Sequence, residues 1–175
     1  RAASWDLQVS GDGAQFAHLP AKLYGAPLPR TKLLTLQPQA HFSGSVEFDG
    51  ETLVLDDWPG MVGHNWGSQH AEQWVWLHGA GFEGRGDNTW LDVAIGRIKV
   101  GPLTTPWVAN GAISIDGMRH PLGGIGRTRS VQVDARAGRC EFTLPGDQLT
   151  LTGAVHAPAD DTVACTQIQN AVGGD

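Results

Sequence analysis

A chain of 175 residues, 41% apolar and 17% charged, carries enough apolar material for a buried core and lacks the composition of a disordered segment. Its 24 glycines and 10 prolines exclude a helical bundle, because both residues oppose helix interiors, and favour an all-β, antiparallel chain with many turns. A net charge of −6 with only 12 Lys and Arg excludes a nucleic-acid partner, which needs cations set against phosphates.

No apolar run approaches the roughly 20 residues that cross a bilayer as a helix, so no membrane span is expected. The first residues, from Arg1 to Asp6, lack the apolar core of a signal peptide, and the chain opens without Met, which fits a processed chain or a fragment. Cys140 and Cys165 form neither a metal spacing nor a C-x-x-C pair. They fit two reduced thiols and a cytoplasmic location, with a single disulfide as the alternative.

In chain order, residues 4–9 alternate apolar and polar and predict a strand. Four prolines between His18 and Ala40 predict an irregular connection whose Leu33, Leu34 and Leu36 plug into a core. Strand signals resume at 42–48, with Phe42, Val46 and Phe48 on one face, and Asp49-Gly50 then predicts a type I′ hairpin. After a glycine-rich loop at 79–88, a long strand is expected over 89–100, with Gly96 as a bulge or bend. Asp116-Gly117 repeats the hairpin signal between 111–115 and 118–122. Further strands are expected at 128–134, 139–144, 148–155 and 162–168, and no helix longer than one turn, at 68–73. Short strands at this spacing describe a meander barrel or a sandwich.

The chemistry-bearing residues cluster in two strands. Alternation puts Trp74, Trp76 and His78 on one face of 73–78, and Trp90, Asp92, Ala94 and Gly96 on one face of the long strand. If the strands pair with those faces together, three indoles, an imidazole and a carboxylate share one wall. That wall suits a large apolar ligand with one polar handle, and burial would push the pKa values of Asp92 and His78 toward neutrality for acid–base work. Core packing fits the tryptophans equally well, and an ion pair with Arg97 or a backbone contact would also explain Asp92. The stretch 61–70 adds His64, Asn65 and Trp66 between glycines that allow close backbone approach. His64, His70 and Glu72 match no standard zinc spacing, so neither a metal nor another cofactor is expected.

Gly63-His64-Asn65-Trp66-Gly67, followed by Trp74-Val75-Trp76, resembles the junction motif of the lipocalin-like carotenoid 1,2-hydratase and tocopherol cyclase-like (AttH-type) family. The resemblance spans about residues 41–122. It implies an antiparallel, lipocalin-like (calycin-like) β-barrel, either alone or with part of a second tandem barrel. Residues 1–70 would be the end of a first barrel or strands completing the main one, and 71–175 the main barrel.

Two functions follow. One is an enzyme that hydrates, cyclises or isomerises an isoprenoid-like or polycyclic molecule, with His64, His78 or Asp92 as acid or base and Asn65, Trp66, Trp74, Trp76 and Trp90 shaping the ligand. The other is a carrier with the same wall and no chemistry. A structural domain with core tryptophans is a third reading. Uncovered sheet edges would favour a homodimer.

Overall fold

The protein is described by a computed structural model covering residues 2–11, 15–68, 71–86, 88–136 and 138–156. The first sheet contains β1 (Ala3–Ser10), β2 (Phe16–Ala17), β3 (Thr31–Phe48) and β4 (Glu51–Gly67), with the one-turn helix α1 (Ala21–Tyr24) between β2 and β3. β3 and β4 form one long hairpin. β1 lines the other edge of the distal end of β3, while β2 pairs with Leu34 and Thr35 nearer its start.

The second part begins with β5 (Gln73–Ala80) and β6 (Trp90–Arg97), followed by a short hairpin of β7 (Lys99–Val100) and β8 (Leu103–Thr104). β9 (Val108–Ile115) and β10 (Met118–Gly123) complete a second sheet in the order β10-β9-β6-β5. A 3₁₀ turn at Ile125–Ser130 leads to a third sheet of β11 (Gln132–Arg136), β12 (Arg139–Pro145) and β13 (Thr150–His156). Every strand pairing is antiparallel. The all-β, antiparallel expectation therefore holds. Among the described residues, however, no ladder closes the second sheet on itself or onto the first, so no closed barrel is formed.

Both Asp-Gly hairpins form as expected. Asp49 and Gly50 have φ of 49° and 88°, and Asp116 and Gly117 have 51° and 86°, the positive pair that a type I′ turn demands. The core lies between the second and third sheets. Leu91, Val93 and Ile95 of β6 pack with Leu77, Ala109 and Ile113 on one side and Leu122, Val131, Phe142 and Leu144 on the other. Burying each such large side chain contributes about 1.5–3 kcal/mol.

Several expectations need correction. The irregular stretch ends at Arg30, because β3 starts at Thr31 and accommodates Pro38 where its register with β4 slips between Gln37 and Ala40. A bulge needs no ladder donor from a proline. Leu33 and Leu34 are only half-buried and Leu36 is exposed; the buried residues of this stretch are instead Lys32, Thr35, Pro38 and Ala40. Gly96 makes no bulge, since its register runs unshifted against both neighbouring strands. The long strand breaks one step later, where the N–H of Ile98 donates to the Thr105 hydroxyl at 3.1 Å instead of to a ladder partner. Residues 128–134 are divided between the 3₁₀ turn and β11. The strand expected at 162–168, along with His70 and Cys165, lies outside the described residues, while Cys140 sits half-buried on β12. Among the described residues no helix is long and apolar enough to cross a membrane.

Candidate functional site

β5 and β6 pair, and the two faces picked out by alternation fall on the same side. Trp74 stands opposite Gly96, Trp76 opposite Ala94, and His78 opposite Asp92. One side of β6 faces the apolar core, and the other side brings Asp92 against residues of the first sheet. Asp92 is fully buried and surrounded by donors. The Trp76 indole N–H donates to its Oδ1 at 2.8 Å, and the Thr35 hydroxyl donates to its Oδ2. His18 Nε2 lies 3.2 Å from the same Oδ2 and 3.0 Å from the Thr35 hydroxyl.

The second ring nitrogen of His18, Nδ1, lies 3.1 Å from the Asn110 carbonyl on β9. A carbonyl only accepts, so Nδ1 carries a hydrogen. With Thr35 donating its one hydroxyl hydrogen to Asp92, Nε2 also faces acceptors. The arrangement closes a buried His18–Thr35–Asp92 cluster that ties the first sheet to the second. Phe16 and Trp90 extend the same junction with ring centroids 5.8 Å apart, and the Arg119 guanidinium lies 5.2 Å over the Trp90 ring.

The electrostatics run against the expectation that burial would bring both titratable groups toward neutrality. Burial does push the Asp92 carboxyl up, but hydrogen bonds from His18 and Thr35, the His18 charge and the Trp76 N–H together outweigh it. Asp92 is held below its ordinary value of 3.8 and is a fixed anion, not a proton donor. His78 moves in the opposite sense to the one expected. Burial lowers it from its ordinary 6.5 despite the attraction of Asp92, so its imidazole is neutral near pH 7.

His78 is also the unsatisfied member of the cluster. Its Nδ1 is 4.0 Å from Asp92 Oδ1, too long for a hydrogen bond, and neither of its buried ring nitrogens has a hydrogen-bond partner among the described residues. The ring sits beside Trp76, with centroids 6.2 Å apart. Trp74 and Trp76 leave about half of their surface open, so the indole edge of Trp76 is pinned inward while its face meets solvent.

The structure brings together Asp92, His78 and Trp76 with Trp74 alongside, and separates the rest of the sequence-derived set. Trp90 is core, buried under Phe16 and Arg119. His64 and Trp66 lie opposite Leu34 and Lys32 in the β3–β4 register, on the side away from Thr35. There they stack at 5.2 Å, and Tyr24 stacks on Trp66 at 5.9 Å. Asn65 shares the Thr35 side but remains exposed. Arg97 does not pair with Asp92; it reaches the Thr105 carbonyl at 3.0 Å and lies over Trp107. An open groove of about 600 Å³ crosses the third sheet past Trp107 and Phe142, and none of its lining residues belongs to the Asp92 cluster.

Sequence reasoning missed His18 and Thr35. Thr35 reaches Asp92 across 57 positions of chain, and His18 lies in a proline-punctuated stretch with no periodicity to orient it. Only a prior expectation that a buried carboxylate needs donors would have prompted a search for them.

No family model and no solved structure matches the chain. Two proteins of Mycobacterium tuberculosis, both described as uncharacterized, one from strain CDC 1551 / Oshkosh and one from strain ATCC 25618 / H37Rv, are each 26% identical to it over 162 residues. The matched region is 85% of this chain and 46% of each relative, so the chain spans about half the length of the curated relatives it matches.

Proposed function

We propose that the Trp74–Trp76–His78 face binds an apolar, isoprenoid-like or polycyclic small molecule with one polar handle, and that His78 acts on it as acid and then base in hydration, cyclisation or isomerisation. The observation that carries this reading is the neutral imidazole of His78, with two unpartnered ring nitrogens, set between a half-open tryptophan and a buried anion. In one cycle the ring, charged by a proton from solvent, gives that proton to a substrate double bond and, once neutral, takes one back from the attacking water or from a carbon beside the cation. Asp92, 4.0 Å away, stabilises the imidazolium that results, and the indole faces attract cationic character in the substrate. Asp92 is then a positioning anion, with Thr35 and His18 holding its orientation. The lipocalin-like architecture belongs to the same proposal, with the second sheet as one wall of a ligand cup.

A carrier reading has one observation in its favour. All the proton-donating capacity around Asp92 is spent inside the protein, leaving no acid partner for His78. One experiment separates the readings: titration with geranylgeraniol followed by tryptophan fluorescence, with product analysis by mass spectrometry. Trp76→Ala is expected to weaken binding at least about tenfold, the effect of losing an aromatic anchor. His78→Gln is expected to bind nearly as well and to form no product. Binding without product in the wild type selects the carrier, and equal affinities for wild type and Trp76→Ala remove this face from the site.

A further inference from the structure

The distal half of the first sheet is amphipathic, and its apolar side is bare. Alternation along β1, β3 and β4 sets Trp5 opposite Val46 and Val46 opposite Leu53, with Val9, Phe42 and Trp58 in line at the other end. Trp5 is 70% exposed, and Val9, Phe48, Leu53 and Trp58 are 45–51% exposed. Among the described residues no other element packs on them. The second and third sheets share a core; this sheet has the same alternation and no covering layer.

We propose that this face is an interface at which two copies of the chain pack sheet on sheet. Area is the first reason. Three half-open aromatics and their aliphatic neighbours present roughly 600 Å² per copy, so two copies would bury about 1,200 Å², the lower end of a standard stable interface. A monomer seldom leaves an apolar patch of that size uncovered.

Charge is the second reason. Asp6 and Glu47 alternate onto the opposite side of the sheet, and the apolar side meets a charged strand residue only in Glu51, at the hairpin tip beside Phe48. A twofold interface places each patch against itself, so a face nearly free of charge is self-complementary, whereas a single-sign face would repel. The net charge of −6 also disfavours the anionic surface of a membrane as the occupant. Face-to-face packing of two such sheets is ordinary β-sandwich geometry. This inference does not rest on the ligand reading above.

Sedimentation velocity of the full chain from about 1 to about 100 µM, the weak end for an interface of this size, tests it directly. A monomer–dimer equilibrium is expected, maintained or strengthened by added NaCl because the contact is apolar. Trp5→Gln and Leu53→Thr are each expected to weaken it at least about tenfold, with unchanged far-UV circular dichroism, since both sites are exposed in the monomer. Val54→Thr, on the opposite side of the same strand, is expected to leave it intact. A monomer throughout the range overturns the proposal, as does a dimer indifferent to both substitutions. Trp5-dependent flotation of a monomeric protein with neutral phosphatidylcholine vesicles would also overturn it, by assigning the face to lipid.

Discussion

The two sides of β6 are a few ångströms apart and are held by different physics. Leu91, Val93 and Ile95 look into a core shared with the third sheet, where the contacts are numerous, non-directional and roughly proportional to buried area. Trp90 and Asp92, on the other side, look toward the first sheet, where a few directional bonds from His18, Thr35 and Trp76 must all be made at once. One side tolerates any apolar side chain of suitable volume. The other tolerates no loss of a partner, because a buried charge left alone costs more than its pairing contributes. The second side also carries a group that the described residues leave unsatisfied, the His78 ring beside the satisfied anion.

The largest expected effect breaks the contrast at its centre. Asp92→Leu should cost about 4 kcal/mol by leaving the buried His18, Thr35 and Trp76 donors without their acceptor, while the His18→Leu/Asp92→Leu pair should cost at least about 1 kcal/mol less than the sum of its singles. Ile95→Ala, on the opposite side, should cost about 3 kcal/mol and add to either single change without coupling. Urea denaturation of the three single variants and the three double variants measures both, and additivity within the His18–Asp92 pair would dissolve the distinction between the two sides.

A smaller effect follows from acid. The folded-state pKa of Asp92 lies below its ordinary 3.8, so its contribution to stability is complete above 3.8 and is lost as the pH falls through the lower folded value. His78 is likewise lowered from 6.5; the unfolded chain takes up that proton first, so stability from His78 is complete above 6.5 and declines as the pH falls below it. Denaturation midpoints between pH 8 and pH 3 should therefore fall in two stages, and a profile that is flat down to pH 4 would remove the first.

The smallest expected effect sharpens the contrast. His78→Phe removes two unpartnered polar atoms while keeping a ring, so it should change stability by no more than about 1 kcal/mol, toward greater stability, and should abolish the first acid stage. A loss above about 2 kcal/mol would mean that His78 is a structural group after all.

Much of this architecture was legible residue by residue. Asp49-Gly50 and Asp116-Gly117 form their hairpins because positive φ at both central positions is a local demand that the dipeptide itself meets. Which residues share a face, Trp74, Trp76 and His78 on one strand and Trp90, Asp92 and Ala94 on the other, was legible from period-two alternation, while the register that sets His78 opposite Asp92 was not. The stretch 18–40 was not: its prolines predict irregularity, yet β4 supplies a partner along nearly the whole of 31–48, and a register slip absorbs Pro38. His64 was singled out by its glycine-rich, polar surroundings, but the face it occupies depends on which side of β3 packs toward β6, and that is a tertiary outcome.

The sequence by itself determined the antiparallel β class, both tight hairpins and the shared face of Trp74, Trp76 and His78, since these follow from backbone dihedrals and side-chain alternation within a few residues. The tertiary structure decided the charge and the partners around that face. Only the packing of the first sheet against the second delivers His18 and Thr35 to Asp92 and turns an expected proton donor into a fixed anion, beside a His78 ring that has no hydrogen-bond partner among the described residues. Burial and hydrogen-bond supply set a carboxyl's charge, and both come from residues distant in the chain.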